Sequence, residues 1–137
     1  MTQEASTLGG VTPKDARTTT LTNGMIIPAD KVSGTDVYNG DGDHLGHIHD
    51  IMVDKVSGRV AFALMAFGGF LGIGERFHPL PWSILRYDEE KSGYLVQLDR
   101  KVLEDAPNYD FDEIVDWDDA GWRTSIYDHY GASGAWL

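Results

Sequence analysis

The residues of this 137-residue chain best suited to chemistry are its histidines, because it contains no cysteine. His44, His47 and His49 stand close together and Asp50 follows at once. On a strand, His47 and His49 share one face, since side chains alternate. Imidazoles beside a carboxylate are ligand types that hold zinc. Gly46 disturbs that register, and only His78 stands at a distance as a further ligand. A small-ligand or metal site on His44, His47, His49 and Asp50 is therefore the alternative reading, not the leading one. Just upstream, Asn39, Asp41 and Asp43 fit the first, third and fifth places of a calcium loop, with Asp50 at the twelfth. That loop needs glycine where His44 stands, glutamate where Asp50 stands, and helical flanks where strands are expected. An EF-hand is excluded.

Other chemistries find less support. The stretch "FGGFLGIGERFHPLPW" (67–82) is glycine-rich, but a dinucleotide fingerprint needs a third glycine where Phe77 stands. It also needs a helix that His78-Pro79-Leu80-Pro81 cannot open. No Gly-Lys-Ser/Thr is present for a phosphate loop. The stretch reads instead as a hairpin tip carrying Phe70, Leu71 and Ile73. Nucleophile motifs such as G-x-S-x-G and H-E-x-x-H are missing. Ser125 and His129 are four apart on an expected helix, yet lack an orienting acid and oxyanion donors. The chain is read as non-enzymatic, with no catalytic residue, no cofactor and no resident metal.

These residues must be positioned by short strands. Turn signals recur at "SG" (33–34), "NGDGD" (39–43), "KVSG" (55–58) and "EEKSG" (89–93). They bound strands over Thr35–Tyr38, His44–Asp54, Arg59–Phe67, Arg76–Leu80 and Tyr94–Leu98. The third of these is apolar on both faces, as a central strand is. Gly46 implies a bulge or bend. Hairpin spacing with no intervening helix argues for a small antiparallel β-barrel. Beyond it, "RKVLEDAP" suggests a helical turn or two halted before Pro107. Trp122, Ile126 and Tyr130 recur at helical spacing. Asp118 or Asp119 is placed to cap that helix and Gly131 to end it. The expected organisation is a flexible tail (1–24), a barrel domain (25–107) and an acidic, aromatic extension with a short helix (108–137).

Twenty-two acids against 11 Lys plus Arg give a formal charge of −11. Such a surface repels phosphate backbones, so nucleic acid is not an expected partner. The longest uncharged run, 60–74, is too short and too glycine-rich to span a bilayer. No secretory leader is evident at the start, and a cytoplasmic location is expected. Residues 104–119 carry eight acids and no base. Such a run is usually a solvated face; its functional alternative is a docking strip for a basic partner, with Tyr109, Phe111, Ile114 and Trp117 as anchors.

Five separated pieces, in order, carry a family resemblance. They are Gly34 to Val37, "LGHIHD" (45–50), "SGRV" (57–60), "GGFLGIG" (68–74) and "PWSIL" (81–85). Over about residues 28–107 the chain resembles the PRC-barrel family, named for the cytoplasmic part of the photosynthetic reaction-centre H subunit. The resemblance implies a strongly curved barrel used as a non-enzymatic module. This sequence is similar to the stand-alone bacterial members, without the H subunit's membrane helix or the extra domain of a ribosome-maturation factor.

The leading expectation is a protein-interaction module that forms a homodimer. Its expected contact residues are Phe70, Leu71 and Ile73 at the tip and Trp117, Trp122, Ile126 and Tyr130 in the extension. A peripheral cap on a membrane complex is a further alternative, resting on fold analogy alone.

Overall fold

A computed structural model describes residues 26–68 and 74–132. The chain divides into two units, Met1–Asp30 and Lys31–Leu137, and the architecture below is that of the second. A turn of helix, α1 (Ala29–Val32), leads into β1 (Asp36–Asn39), β2 (His44–Val53), β3 (Val60–Phe67) and β4 (Arg76–Pro81). A 3-10 turn at Trp82–Ile84 precedes the hairpin β5 (Arg86–Asp88) and β6 (Gly93–Val96). Helices α2 (Arg100–Glu104) and α3 (Ala120–Tyr130) follow. The expected tail (1–24) and the tip residues Phe70, Leu71 and Ile73 lie outside the described residues.

The strands form one six-stranded sheet in the order β4-β3-β2-β1-β6-β5. Neighbours in sequence pair antiparallel, as tight turns require. The expectation of a wholly antiparallel, closed barrel is corrected in two respects. β1 and β6 run parallel, with Val37 opposite Tyr94 and Asn39 opposite Val96. Among the described residues, β4 and β5 do not pair, so the sheet stays open between its two outer strands. Turn chemistry dictates the pairing of consecutive strands, but β1 and β6 are joined by no turn and meet only in the tertiary fold.

β3 is the central strand the apolar run implied, buried from Ala61 to Phe67. Its alternation divides the core. Ala63, Met65 and Phe67 join Val37, Ile48, Leu80, Val96 and Leu103 in the main cluster. Phe62 joins Ile126 and Tyr127 in a second cluster. The interior of β2 is bulged twice, between the pairs Val37–Gly46 and Tyr38–His44 and again around His49. Gly46 is there because the backbone of β3 comes too close for a side chain. A Cβ at this position would lie 2.1 Å from the Ala66 carbonyl oxygen. The second bulge sets His49 out of step with His47.

Helix α3 has the ends its sequence implied. Asp119 Oδ1 accepts from the Gly121 N–H at 2.8 Å, filling one of the donors a helix start leaves open. Gly131 takes the left-handed conformation, φ 65°, that closes the last turn.

Candidate interaction surface

Two sheet edges dominate what this molecule presents, and they differ in kind. The β4 edge is bridged at Phe77 by the chain's own C-terminal segment. Phe77 and Tyr109 exchange both backbone hydrogen bonds, at 2.9 and 3.1 Å. The Arg76 guanidinium then clasps the same segment. It donates to Asn108 Oδ1, to Asp110 Oδ1 at 2.6 Å and to Glu113 Oε1 at 3.2 Å. Aromatic rings continue the cover: Phe77 meets Tyr109, Tyr109 meets Trp117, and Trp117 meets both Phe62 and Trp122. Burial raises the Tyr109 hydroxyl above its ordinary range, with the Asp50 carboxylate adding to the effect. Burial likewise pushes Tyr127 up to about 12, against a smaller opposing pull from Arg123.

Among the described residues, the β5 edge is bare. This strand pairs only with β6, through Arg86–Leu95, Tyr87–Tyr94 and Asp88–Gly93. Its other side has no strand partner among the described residues. Arg86 is exposed, and its side chain makes no hydrogen bond or ion pair among the described residues. Tyr87 is 50% exposed, although its ring meets the Tyr94 ring edge-on at 5.3 Å. Tyr94 in turn meets Trp82 at 5.5 Å, so an aromatic row runs out of the core to this edge. Burial, with Tyr87 second, holds the Tyr94 hydroxyl above its ordinary range. Asp88 Oδ1 accepts from the Glu90 and Lys91 N–H groups and so shapes the hairpin turn.

The residues expected to make sites are placed as follows. His44 Nε2 lies 2.8 Å from Asp36 Oδ1, and its ring meets Tyr38 edge-on. His49 packs over Phe77, with centroids 4.6 Å apart. Asp50 Oδ1 accepts from the Ile51 N–H. His44, His47, His49 and Asp50 thus do not converge, and no three His, Asp or Glu side chains gather as a metal set among the described residues. The Asn39 side chain serves its own loop, accepting from the Asp41 and Asp43 N–H groups. Ser125 Oγ donates to the Trp122 carbonyl, while His129 Nε2 sits 2.7 Å from the Val102 carbonyl. Those two side chains engage separate backbone groups instead of each other.

In the extension, Ile126 is fully buried, and Trp117, Trp122 and Tyr130 pack partly buried against the same cluster. All four cover their own sheet. Phe111, 77% exposed, and Ile114, fully exposed, are the expected anchors that remain on the surface. A shallow cavity of about 370 Å³ between the β2–β3 hairpin and this corner is floored by Met52, Phe62 and Trp117, with Lys55 and Arg123 at its rim. Asp54 and Asp118 also line it.

Residues 86–88 were not expected to form a strand. Their only signal was "RYD" between an apolar "WSIL" and the turn "EEKSG", too short to show alternation.

No helix among the described residues is long and apolar enough to cross a membrane. No curated protein matches the chain. The match to the PRC-barrel domain runs from residue 26 to residue 103, taking in all six strands and most of α2. Covering more than half of the sequence, that match establishes that the chain belongs to the PRC-barrel family.

Proposed function

We propose that this protein is a non-enzymatic interaction module that associates with a second copy of itself. The observation that carries this reading is the contrast between the two sheet edges. An unpaired strand edge offers N–H and C=O groups to any chain able to pair with them. Here one edge is spent on the protein's own C-terminal segment, and the other is left open beside a half-exposed tyrosine. Of the C-terminal residues expected to meet a partner, Ile126 is buried and Trp117, Trp122 and Tyr130 are partly buried, so this reading favours the open edge.

A contact built around one short strand belongs to the smaller interface class, below about 1,200 Å², where association is weak or transient. Dissociation constants from tens to hundreds of micromolar are the matching scale. Light scattering of the full chain across that range is expected to show mass rising from monomer to dimer. A constant monomer mass up to about 1 mM would overturn the reading.

A further inference from the structure

We infer that two copies join edge to edge through β5, antiparallel, about a two-fold axis passing at Tyr87. The inference rests on the self-association proposed above and names its surface. An antiparallel pair centred on Tyr87 sets Arg86 of one copy opposite Asp88 of the other, and Asp88 opposite Arg86. The three residues Arg86-Tyr87-Asp88 are therefore complementary to themselves in this register and in no other that keeps all three paired. Opposite charges directly across a strand pair stabilise it, while like charges oppose it. A two-fold interface needs this property, because each patch must meet its own copy.

Two further observations point the same way. The Arg86 side chain has no hydrogen-bond or ion-pair partner among the described residues, so its charge is available. Asp88 uses one oxygen, Oδ1, for the hairpin turn, which leaves Oδ2 to accept. The aromatic row Trp82–Tyr94–Tyr87 ends at the proposed axis. Pairing places one Tyr87 ring across from the other, and the row then continues into the second molecule. Cross-strand aromatic pairs are among the stronger contacts on a sheet face.

The absence of cysteine from the sequence gives a direct test. Residues opposite each other in an antiparallel pair have Cα atoms about 4.5 or 5.5 Å apart. Both separations fall within the range of about 4.4–6.8 Å that a disulfide spans. A Tyr87→Cys variant oxidised with diamide is expected to give a linked dimer. Val56→Cys, at a site 94% exposed on the β2–β3 turn, serves as the control for random collision. The inference holds if the Tyr87 variant links at least about tenfold faster than the control. Equal rates overturn it. No linkage of the Tyr87 variant, together with no effect of the charge reversals below while the unaltered chain scatters as a dimer, also overturns the β5 pairing but leaves self-association standing. A monomeric unaltered chain removes both.

Charge reversal sharpens the assignment. Arg86→Asp and Asp88→Arg each place like charges across both crossings and are expected to weaken the homodimer about tenfold or more. An equal mixture of the two variants restores opposite charges at both crossings, so a mixed dimer is expected to re-form at near the original affinity. Circular dichroism identifies an Asp88→Arg chain that has lost its hairpin. The disulfide test requires no change at Asp88, and so decides the matter in that case. A mixture as weak as its components, with both folded, counts against the pairing.

Discussion

The two edges of one sheet solve the same problem in opposite ways. At β4, an acidic C-terminal segment lays a backbone bridge on Phe77, is held by the Arg76 guanidinium and stacks its rings over the outer face. At β5, a three-residue strand carries an exposed arginine whose side chain has no ion-pair partner among the described residues. The difference teaches that part of the extension covers its own sheet, while Phe111 and Ile114 stay exposed. It also makes the unpaired edge, with its half-exposed Tyr87, the surface on which the proposed contact rests. Exposed apolar side chains and open hydrogen-bonding edges are separate signals, and here they lie in different places.

The comparison breaks most visibly if the cover is weakened. Ile126 is fully buried under α3 against Phe62 and its neighbours. An Ile126→Ala change is expected to cost about 2–5 kcal/mol, the range for cavities left by large aliphatic side chains. A urea titration measures that loss. Amide exchange should quicken at Phe77 and Tyr109 while β5 is unaffected, and equal quickening at both edges would erase the distinction drawn between them.

The next effect is on pH. His78, on β4, is 3% exposed with an unpartnered Nδ1. Burial first, and the charge of Arg76 second, hold its pKa down to about 4 from an ordinary 6.5, against a backbone hydrogen bond to Leu103 that raises it. Below 6.5 the unfolded chain therefore takes up a proton that the folded chain refuses. This contribution is intact above pH 6.5 and declines as pH falls from there to about 4, by about 3 kcal/mol in total. Denaturant midpoints measured across that window should show the slope, and a His78→Leu variant should flatten it. An unchanged slope in that variant would assign the effect to other groups.

The smallest effect belongs to the clasp itself. Arg76 and its acidic partners are all more than a third exposed, so solvent screens them. Arg76→Met is expected to lower stability by no more than about 1 kcal/mol at low salt and by less at high salt. A larger loss, independent of salt, would mean that the clasp orders the whole segment.

Much of this was legible in the sequence. The turns at "NGDGD", "KVSG" and "EEKSG" bound strands within a few residues of where they lie, because Gly, Asn and Asp meet backbone demands that are local. The α3 stripe and its caps were legible for the same reason. The bulge at Gly46 was signalled by the glycine, but the approach of Ala66 that requires it is a tertiary fact. The parallel pair β1–β6 left no local trace. Whether the histidines of the alternative reading converge was not legible, because proximity along a strand is not convergence. The second bulge and the separate partners of His44 and His49 part them in space. Strand β5 was missed because three residues give no periodicity to read.

The parallel pairing of Val37 with Tyr94 has a consequence in time. Contacts between distant parts of a chain close more slowly than hairpins, because more chain entropy is lost before they form. The β5–β6 hairpin is marginal alone, as isolated two-stranded hairpins are, and becomes durable only when β6 docks beside β1. The open edge thus reaches its final shape after the meander of β1 to β4 is already in place. A nascent or half-folded chain has no such edge to offer, so the proposed pairing with a second copy would be reserved for molecules that have finished folding.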